Sequence, residues 1–372
     1  MAGLVITEEQ EELRASVRRF LEQRSPIREV RRLMDTTDGY EPGVWSQAAE
    51  QLGLQSIAVP EQYGGMGFGY VELAIVLEEM GRALYCAPYF ATVALAANTL
   101  LASGDDEACR GYLPGIASGE TIATLAFVED DGRWDGSTVK LAASRAGDAW
   151  ALNGHKAFVL DGHVASLVLV LARTRRGLSL FAVAGDVTGL TRTALPTLDE
   201  TRKLARLEFQ KVPARLVGEE GGADRILART LDLAAVALAA EQVGGAQACL
   251  DMSVEYAKVR HQFGRPIGSF QAIKHKCADM LLEVENARSA AQYAAWAAAE
   301  GSEELPAVAS LAKATCSEAY FHAAAENIQI HGGIGFTWEH DAHLYFKRAK
   351  SSELFLGEPA QHREQLLERI GV

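Results

Sequence analysis

Apolar positions change their spacing twice along the chain, from helical to alternating and back to helical. Thr7 and Gln10 stand three residues apart in a capping-box pattern, and Leu13, Val17, Phe20 and Leu21 follow on one helical face. A helix is predicted to begin there. Further helical patterns run to about Gly119, interrupted by the turn-rich Tyr63-Gly64-Gly65-Met66-Gly67 and by Pro88 and Pro114. From Thr121 the texture shifts to short runs rich in Val, Leu and Phe. Residues 149–152 and 157–160 flank Asn153-Gly154, which predicts a β-hairpin turning at that dipeptide, and 166–172, 178–184 and 207–212 continue the series. No helix-length segment separates these runs to carry parallel crossovers, so a small antiparallel barrel or sandwich is expected. After Gly221-Gly222 long helical stripes return, as in Leu250, Val254 and Ala257, then Met280, Val284, Ala287 and Ala291, then Ala312, Cys316, Ala319 and Ala323. The alanine-rich 294–299 suits closely packed bundle helices.

The resulting α+β plan has a helical N-terminal domain (1–120), a middle β domain (121–218) and a C-terminal helical bundle (219–372). A length of 372 residues agrees with several packed units, and 48% hydrophobic with 23% charged residues is a globular composition. No run approaches the roughly 20 apolar residues of a membrane span, and the acidic start lacks a signal-peptide pattern. A cytoplasmic protein with no membrane partner is predicted. The net charge of −13 argues against nucleic acid, whose binding draws on cations neutralising phosphates. Five scattered cysteines form no Cys-x-x-Cys pair, and His340 with His343 lacks a third ligand at useful spacing, so reduced thiols and no metal site are expected.

Several segments coincide in order. Tyr63-Gly64-Gly65-Met66-Gly67 precedes Glu72 and Glu78-Glu79-Met80-Gly81-Arg82, and Tyr112-Leu113-Pro114 precedes Ala117-Ser118-Gly119-Glu120. More specific are Arg260-His261-Gln262-Phe263-Gly264-Arg265-Pro266-Ile267 with Phe270-Gln271, and Gln329-Ile330-His331-Gly332-Gly333-Ile334-Gly335-Phe336. An Arg such as Arg260 offers a planar donor fork suited to phosphate oxygens, Phe263 can pack on an adenosine, and a glycine pair lets a bound group approach the backbone. In this order, and over nearly the whole chain, the segments resemble the acyl-CoA dehydrogenase family, with its N-terminal helical domain, middle antiparallel β-barrel domain and C-terminal four-helix bundle. The resemblance implies FAD as cofactor, an acyl-CoA substrate and an electron-transfer flavoprotein as acceptor. It also implies an oligomer in which Arg260, Phe263, Gln271, Gln329, Ile330, His331, Gly332 and Gly333 hold the adenosine and pyrophosphate of an FAD whose flavin sits in a neighbouring subunit.

The family's base is a Glu before a Gly near the C-terminus, where this chain has Leu356-Gly357, or a Glu at the start of the first bundle helix, where it has Ala234 and Ala235. A carboxylate must remove the α-proton of the thioester, and neither Leu nor Ala can. The flavin-contacting motifs are altered as well, to Val128-Glu129-Asp130-Asp131-Gly132 and Lys156-Ala157-Phe158-Val159-Leu160-Asp161-Gly162. This pattern resembles the non-catalytic β chains of actinobacterial α2β2 acyl-CoA dehydrogenases acting on bulky CoA esters such as steroid side chains. A homologous partner chain would then carry the catalytic Glu. Two alternatives stand beside it: a self-sufficient homotetramer with a relocated base, Glu241 ahead of Asp232, Glu353 and Glu358, and a flavin-free structural paralogue. Glu241 lies two turns beyond Ala234, roughly 10 Å along the axis.

Overall fold

The computed structural model describes residues 6–147 and 149–372. In chain order the helices are α1 (Glu8–Arg24), α2 (Ile27–Met34), α3 (Pro42–Leu52), α4 (Tyr70–Arg82), α5 (Asn98–Ser103), entered through a wide π-helical stretch Phe90–Ala97, and α6 (Asp106–Ala117). Seven strands follow: β1 (Ala123–Ala126), β2 (Ala142–Ala146), β3 (Ala149–Leu160), β4 (Leu167–Thr174), β5 (Gly177–Ala184), β6 (Leu190–Leu195) and β7 (Leu204–Val217). The last part holds α7 (Ala223–Val259), a miniature hairpin of β8 (His261–Gln262) and β9 (Arg265–Pro266), α8 (Gln271–Ala299), α9 (Leu305–His331), α10 (Ala342–Leu354) and α11 (Pro359–Ile370). One compact unit gathers the chain up to Arg31, Tyr70–Tyr85 and Ala235–Val372; the other comprises Arg32–Gly69 and Cys86–Ala234.

In the second unit the strands form a ring. β4 pairs β2, β2 pairs β3, β3 pairs β7, β7 pairs β5, and β5 returns to β4, with β1 and β6 attached to β4 and β7. Strand side chains on both faces, such as Leu169, Leu180, Phe181, Leu207 and Val212, are buried at 1% exposure or less. Closure in this way removes most free strand edges. Two expectations fail here. Asn153-Gly154 is no hairpin turn: β3 runs straight through it, and the register shift between Leu152 and Asn153 leaves Lys211 of β7 as the extra residue of a bulge, at φ 54°, its N–H donating to the Asn153 side chain at 2.9 Å. β1 runs parallel to β4, because the β2–β3 excursion between them is long enough to return the chain without a helix.

In the first unit α1 begins at the Thr7–Gln10 capping box and buries Val17, Phe20 and Leu21. Arg14 donates to Glu78 at 2.8 Å, and Arg18 grips Glu79 with two bonds of 2.8 Å, tying α1 to α4. The bundle stripes are as the spacing predicts: Met280, Val284, Ala287 and Ala291 of α8 and Ala312, Cys316, Ala319 and Ala323 of α9 are buried. α7 is long and apolar enough to cross a membrane, yet 94% of its most apolar window is buried inside the protein. Four cysteines are buried and Cys277 is half-buried.

α4 and α7 cross at glycines. A Cβ on Gly81 would lie 1.9 Å from the Glu241 carbonyl oxygen, and one on Gly244 would lie 1.8 Å from that of Glu78. The neighbouring Gly245 faces the Tyr320 ring, 2.4 Å from where its Cβ would stand. Because backbone cannot yield as a side-chain tip can, Gly244→Ala is expected to destabilise the chain by about 3 kcal/mol or more, whereas Gly301→Ala, in open space, should cost about 1 kcal/mol for its positive φ. Urea denaturation of the two variants measures the difference.

Candidate functional site

At one end of the bundle α7 stops and the Arg260 segment begins. The Arg260 N–H donates to Tyr256 C=O at 2.9 Å, and its own carbonyl accepts from the Ile267 N–H at 2.7 Å, which folds the chain back as β8–β9. The hairpin turns at Phe263 (φ 52°) and Gly264 (φ 78°). Two successive positive φ values define a tight turn that favours Asn or Gly at its first position. A Phe there costs about 1 kcal/mol. Its ring is nevertheless 92% exposed, meeting Phe270 edge-on at 6.1 Å, and Phe270 in turn carries the Arg265 guanidinium 4.1 Å from its centroid. Arg260 is exposed and has no acidic partner among the described residues, and Gln271, also exposed, opens α8.

The second motif ends α9 beside it. Gln329 is exposed, Ile330 and His331 are buried, and Gly332 caps the helix with φ 65°, its N–H donating to the Ile328 and Gln329 carbonyls. Added Cβ atoms on Gly332 and Gly333 would meet nothing within 4 Å, so this glycine pair faces open space. The two motifs meet through rings: His331 stacks on Tyr256 at 4.2 Å. All eight residues that the resemblance singled out therefore lie in the segments that flank this end of the bundle. Phe336 and Trp338, 77% and 63% exposed, extend the apolar surface.

The base positions are filled otherwise. Leu356 sits in the left-handed region (φ 63°) between α10 and α11, followed by Gly357 at φ 108°, and is buried. Its corner is pinned by two buried nitrogen donors. Lys313 donates to Ser317 Oγ, Glu353 C=O and Gly357 C=O at 2.9, 3.1 and 3.0 Å, and His362 Nε2 donates to Leu356 C=O at 3.0 Å. Burial pushes the Lys313 ammonium down to about 7, and burial followed by the Lys313 charge pushes His362 down to about 4. Ala234 is fully buried. Glu241 meets Arg348 Nη1 at 2.7 Å, both side chains under 10% exposed, so its carboxylate is engaged in an ion pair on the α4–α7 crossing. Glu353 bonds Lys350 at 2.8 Å, Asp232 is buried, and Glu358 is exposed at the start of α11.

In the β unit, Glu129 accepts from the Lys140 and Leu141 N–H groups and from Lys156 Nζ at 3.0 Å. Burial pushes its carboxyl up, but the Leu141 N–H and the Lys156 charge outweigh that and hold it below the ordinary range. Both residues brace the barrel. Phe158 has φ 54° at a second shift in β3 and is 39% exposed, while Leu160 is buried with its carbonyl taking the Thr124 hydroxyl at 2.6 Å. His155 lies 2.9 Å from Asp130 at the surface.

Three family models match in succession: the acyl-CoA dehydrogenase N-terminal domain over 7–120, the middle domain over 124–212 and the C-terminal domain over 220–371. The chain belongs to the acyl-CoA dehydrogenase family. It is 37% identical to the acyl-CoA dehydrogenase IpdE2 of Mycobacterium tuberculosis over 95% of each chain. Among solved structures it resembles the ChsE4-ChsE5 complex of the same organism (30% identity, 99% of this chain and 98% of that one, TM-score 0.90). It also resembles the Tcur3481-Tcur3483 steroid ACAD (32% identity, 99% of each chain, TM-score 0.89). The family is one of FAD-dependent oxidoreductases.

Sequence reasoning missed Lys313, Arg348 and His362, whose partners lie 44, 107 and 6 residues away along the chain. Breaking the Glu241–Arg348 pair with Arg348→Met leaves a buried carboxylate behind and should cost about 3–5 kcal/mol, while the double change with Glu241→Met should recover most of it. Chemical denaturation of the three variants closes that cycle. The His362 ring, ordinarily titrating near 6.5, is held neutral in the fold. Stability is whole above pH 6.5 and lost as pH falls toward 4, on the order of 3 kcal/mol from this group. His362→Gln should flatten the melting temperature over that range.

Proposed function

We propose that this chain is the non-catalytic member of a heteromeric FAD-dependent acyl-CoA dehydrogenase, lending an adenosine clamp to a homologous chain that supplies the catalytic Glu and the flavin pocket. One contrast supports the reading: an exposed Arg260 without an acidic partner among the described residues and an almost wholly exposed Phe263 stand at the bundle end, while the position proposed for the base holds Leu356. FAD, when bound, supplies the hydride acceptor for dehydrogenation of the thioester.

The residues fit the two halves of that cofactor unequally. Arg260 offers its donor fork to the pyrophosphate, Phe263 its face to the adenosine, Gln271 and Gln329 further hydrogen bonds, and Gly332-Gly333 an open backbone. Within the altered flavin motifs, Val128 and Leu160 are buried hydrocarbons and Phe158 stands at a bulge, three side chains with no hydrogen-bond donor to offer a flavin. Glu241 is not assigned as a relocated base in this reading, because its buried carboxylate is taken up by the Arg348 guanidinium at 2.7 Å. Likeness to the Tcur3481-Tcur3483 steroid ACAD supports the proposed substrate, a bulky CoA ester such as a steroid side chain, and an electron-transfer flavoprotein is the proposed acceptor.

The native complex is expected to hold one FAD per heterodimer, and the isolated chain little or none. Arg260→Ala removes a charge-assisted bond to phosphate and should weaken FAD in the complex roughly ten- to a hundredfold, although the flavin lies in the other chain. Flavin absorbance per heterodimer measures both. A value near two that ignores Arg260→Ala would mean that this chain carries its own flavin.

A further inference from the structure

The clamp is assembled from two segments about 70 residues apart in sequence, and something must hold them at a fixed spacing. Neither Arg260 nor Gly332-Gly333 contacts the other by a hydrogen bond among the described residues. What joins them is a run of rings. Tyr256, one turn before Arg260 and bonded to it through the backbone, stacks on His331 at 4.2 Å with 28° between the planes. His331 directly precedes Gly332, and its ring also meets the His340 ring at 4.3 Å, tilted by 51°. His331 is itself fixed, because its Nδ1 donates to Asn327 C=O at 2.8 Å in the last turn of α9.

The outer ring is anchored in turn. His340 Nδ1 accepts from the Ala342 N–H at 3.1 Å, and the loop that carries it is gripped by Arg31. That guanidinium donates to Trp338 C=O at 2.8 Å, to His340 C=O at 3.0 Å and twice to Asp341 Oδ1 at 3.0 and 2.7 Å. A continuous path therefore runs from Arg31 through His340, His331 and Tyr256 to Arg260.

We infer that the Tyr256–His331–His340 stack is a positioning device that sets the distance between Arg260 and the Gly332-Gly333 backbone, and with it the affinity for the adenosine diphosphate half of FAD. The inference rests on the clamp reading above. Planarity at the Tyr256–His331 contact is what matters in it: two flat rings laid on each other fix a separation of one stacking distance, which a branched aliphatic side chain of similar volume does not reproduce, and His340 holds His331 from its tilted contact. The Tyr256 hydroxyl has no part in the device.

The test uses the complex isolated through a tag on this chain, stripped of flavin and titrated with FAD and, separately, with ADP as a probe of the clamp alone. Tyr256→Phe keeps the ring and should bind both as the unaltered chain does. Tyr256→Leu should weaken both about tenfold while the complex still assembles with an unchanged melting temperature. If Tyr256→Leu does not fold, His340→Ala, at the half-exposed end of the stack, takes its place with a loss of about threefold expected. Equal losses in Tyr256→Phe and Tyr256→Leu would overturn the inference, and so would unchanged ADP and FAD affinity in Tyr256→Leu or its replacement while Arg260→Ala still weakens them. Indifference of binding to Arg260→Ala as well would remove the clamp reading together with the stack.

Discussion

The close approach of α4 to α7 is the constraint from which the rest of the bundle takes its geometry. Two helices can pass with a carbonyl of one where the other's Cβ would stand only if both lack that Cβ, as Gly81 and Gly244 do. Bringing backbones so near buries Glu241 at the crossing, and a carboxylate taken out of water there needs the Arg348 guanidinium at 2.7 Å. A crossing and its ion pair thus fix α7 in position and rotation. Because α7 is a continuous helix, that setting is carried from Gly244 to Val259, roughly 22 Å along the axis, and decides where Arg260 emerges. The arginine pairs of α1 on Glu78 and Glu79 brace the same crossing from outside.

Two strained residues show how differently the chain treats its two candidate centres. Leu356 and Phe263 both adopt a positive φ that a side chain with a Cβ resists. At Leu356 the strain is over-determined from within, by Lys313 with three acceptors and by His362 on the leucine carbonyl, and the side chain is buried. At Phe263 the turn is set by the miniature hairpin, and the ring it presents remains 92% exposed. Strain that ends in burial serves the fold, whereas strain that ends in exposure has no return within the same chain.

Much of this was legible in residue order, and what was not has a physical reason. The α1 cap, the α8 and α9 stripes and the three-part succession follow from local spacing, which periodicity reads well. Asn153-Gly154 misled because a dipeptide that suits a two-residue turn also fits within a strand opposite a bulge, and here that bulge is Lys211 of β7, far along the chain. The parallel pairing of β1 with β4 depends on closure of the ring, which no single strand announces. At the candidate site the motif segments were visible as residue types, but their meeting through Tyr256 and His331 was not. Nor did anything local mark Arg31, whose partners are about 310 residues away, or Arg348 as the partner of Glu241.

Folding energetics alone accounts for one half of the proposed site and leaves the other unexplained. Val128, Leu160 and Leu356 are buried side chains, and each contributes hydrophobic stabilisation, about 1.5–3 kcal/mol for a fully buried Leu, where a polar group in the same place would need a partner. A chain relieved of chemistry at those positions gains by filling them with hydrocarbon. Arg260, Phe263, Gln271 and Gln329 stand exposed, so little of their surface contributes to burial, and Phe263 adds backbone strain. Stability gives no reason for that set, and solubility would favour almost any other residue at the tip of β8–β9. An external ligand does give a reason, and one with an anionic pyrophosphate beside a flat heterocycle matches an exposed guanidinium without an acidic partner among the described residues, an exposed ring and an open glycine pair at once. On this ground the two halves need not belong to one chain: each subunit can keep the half that its neighbour requires.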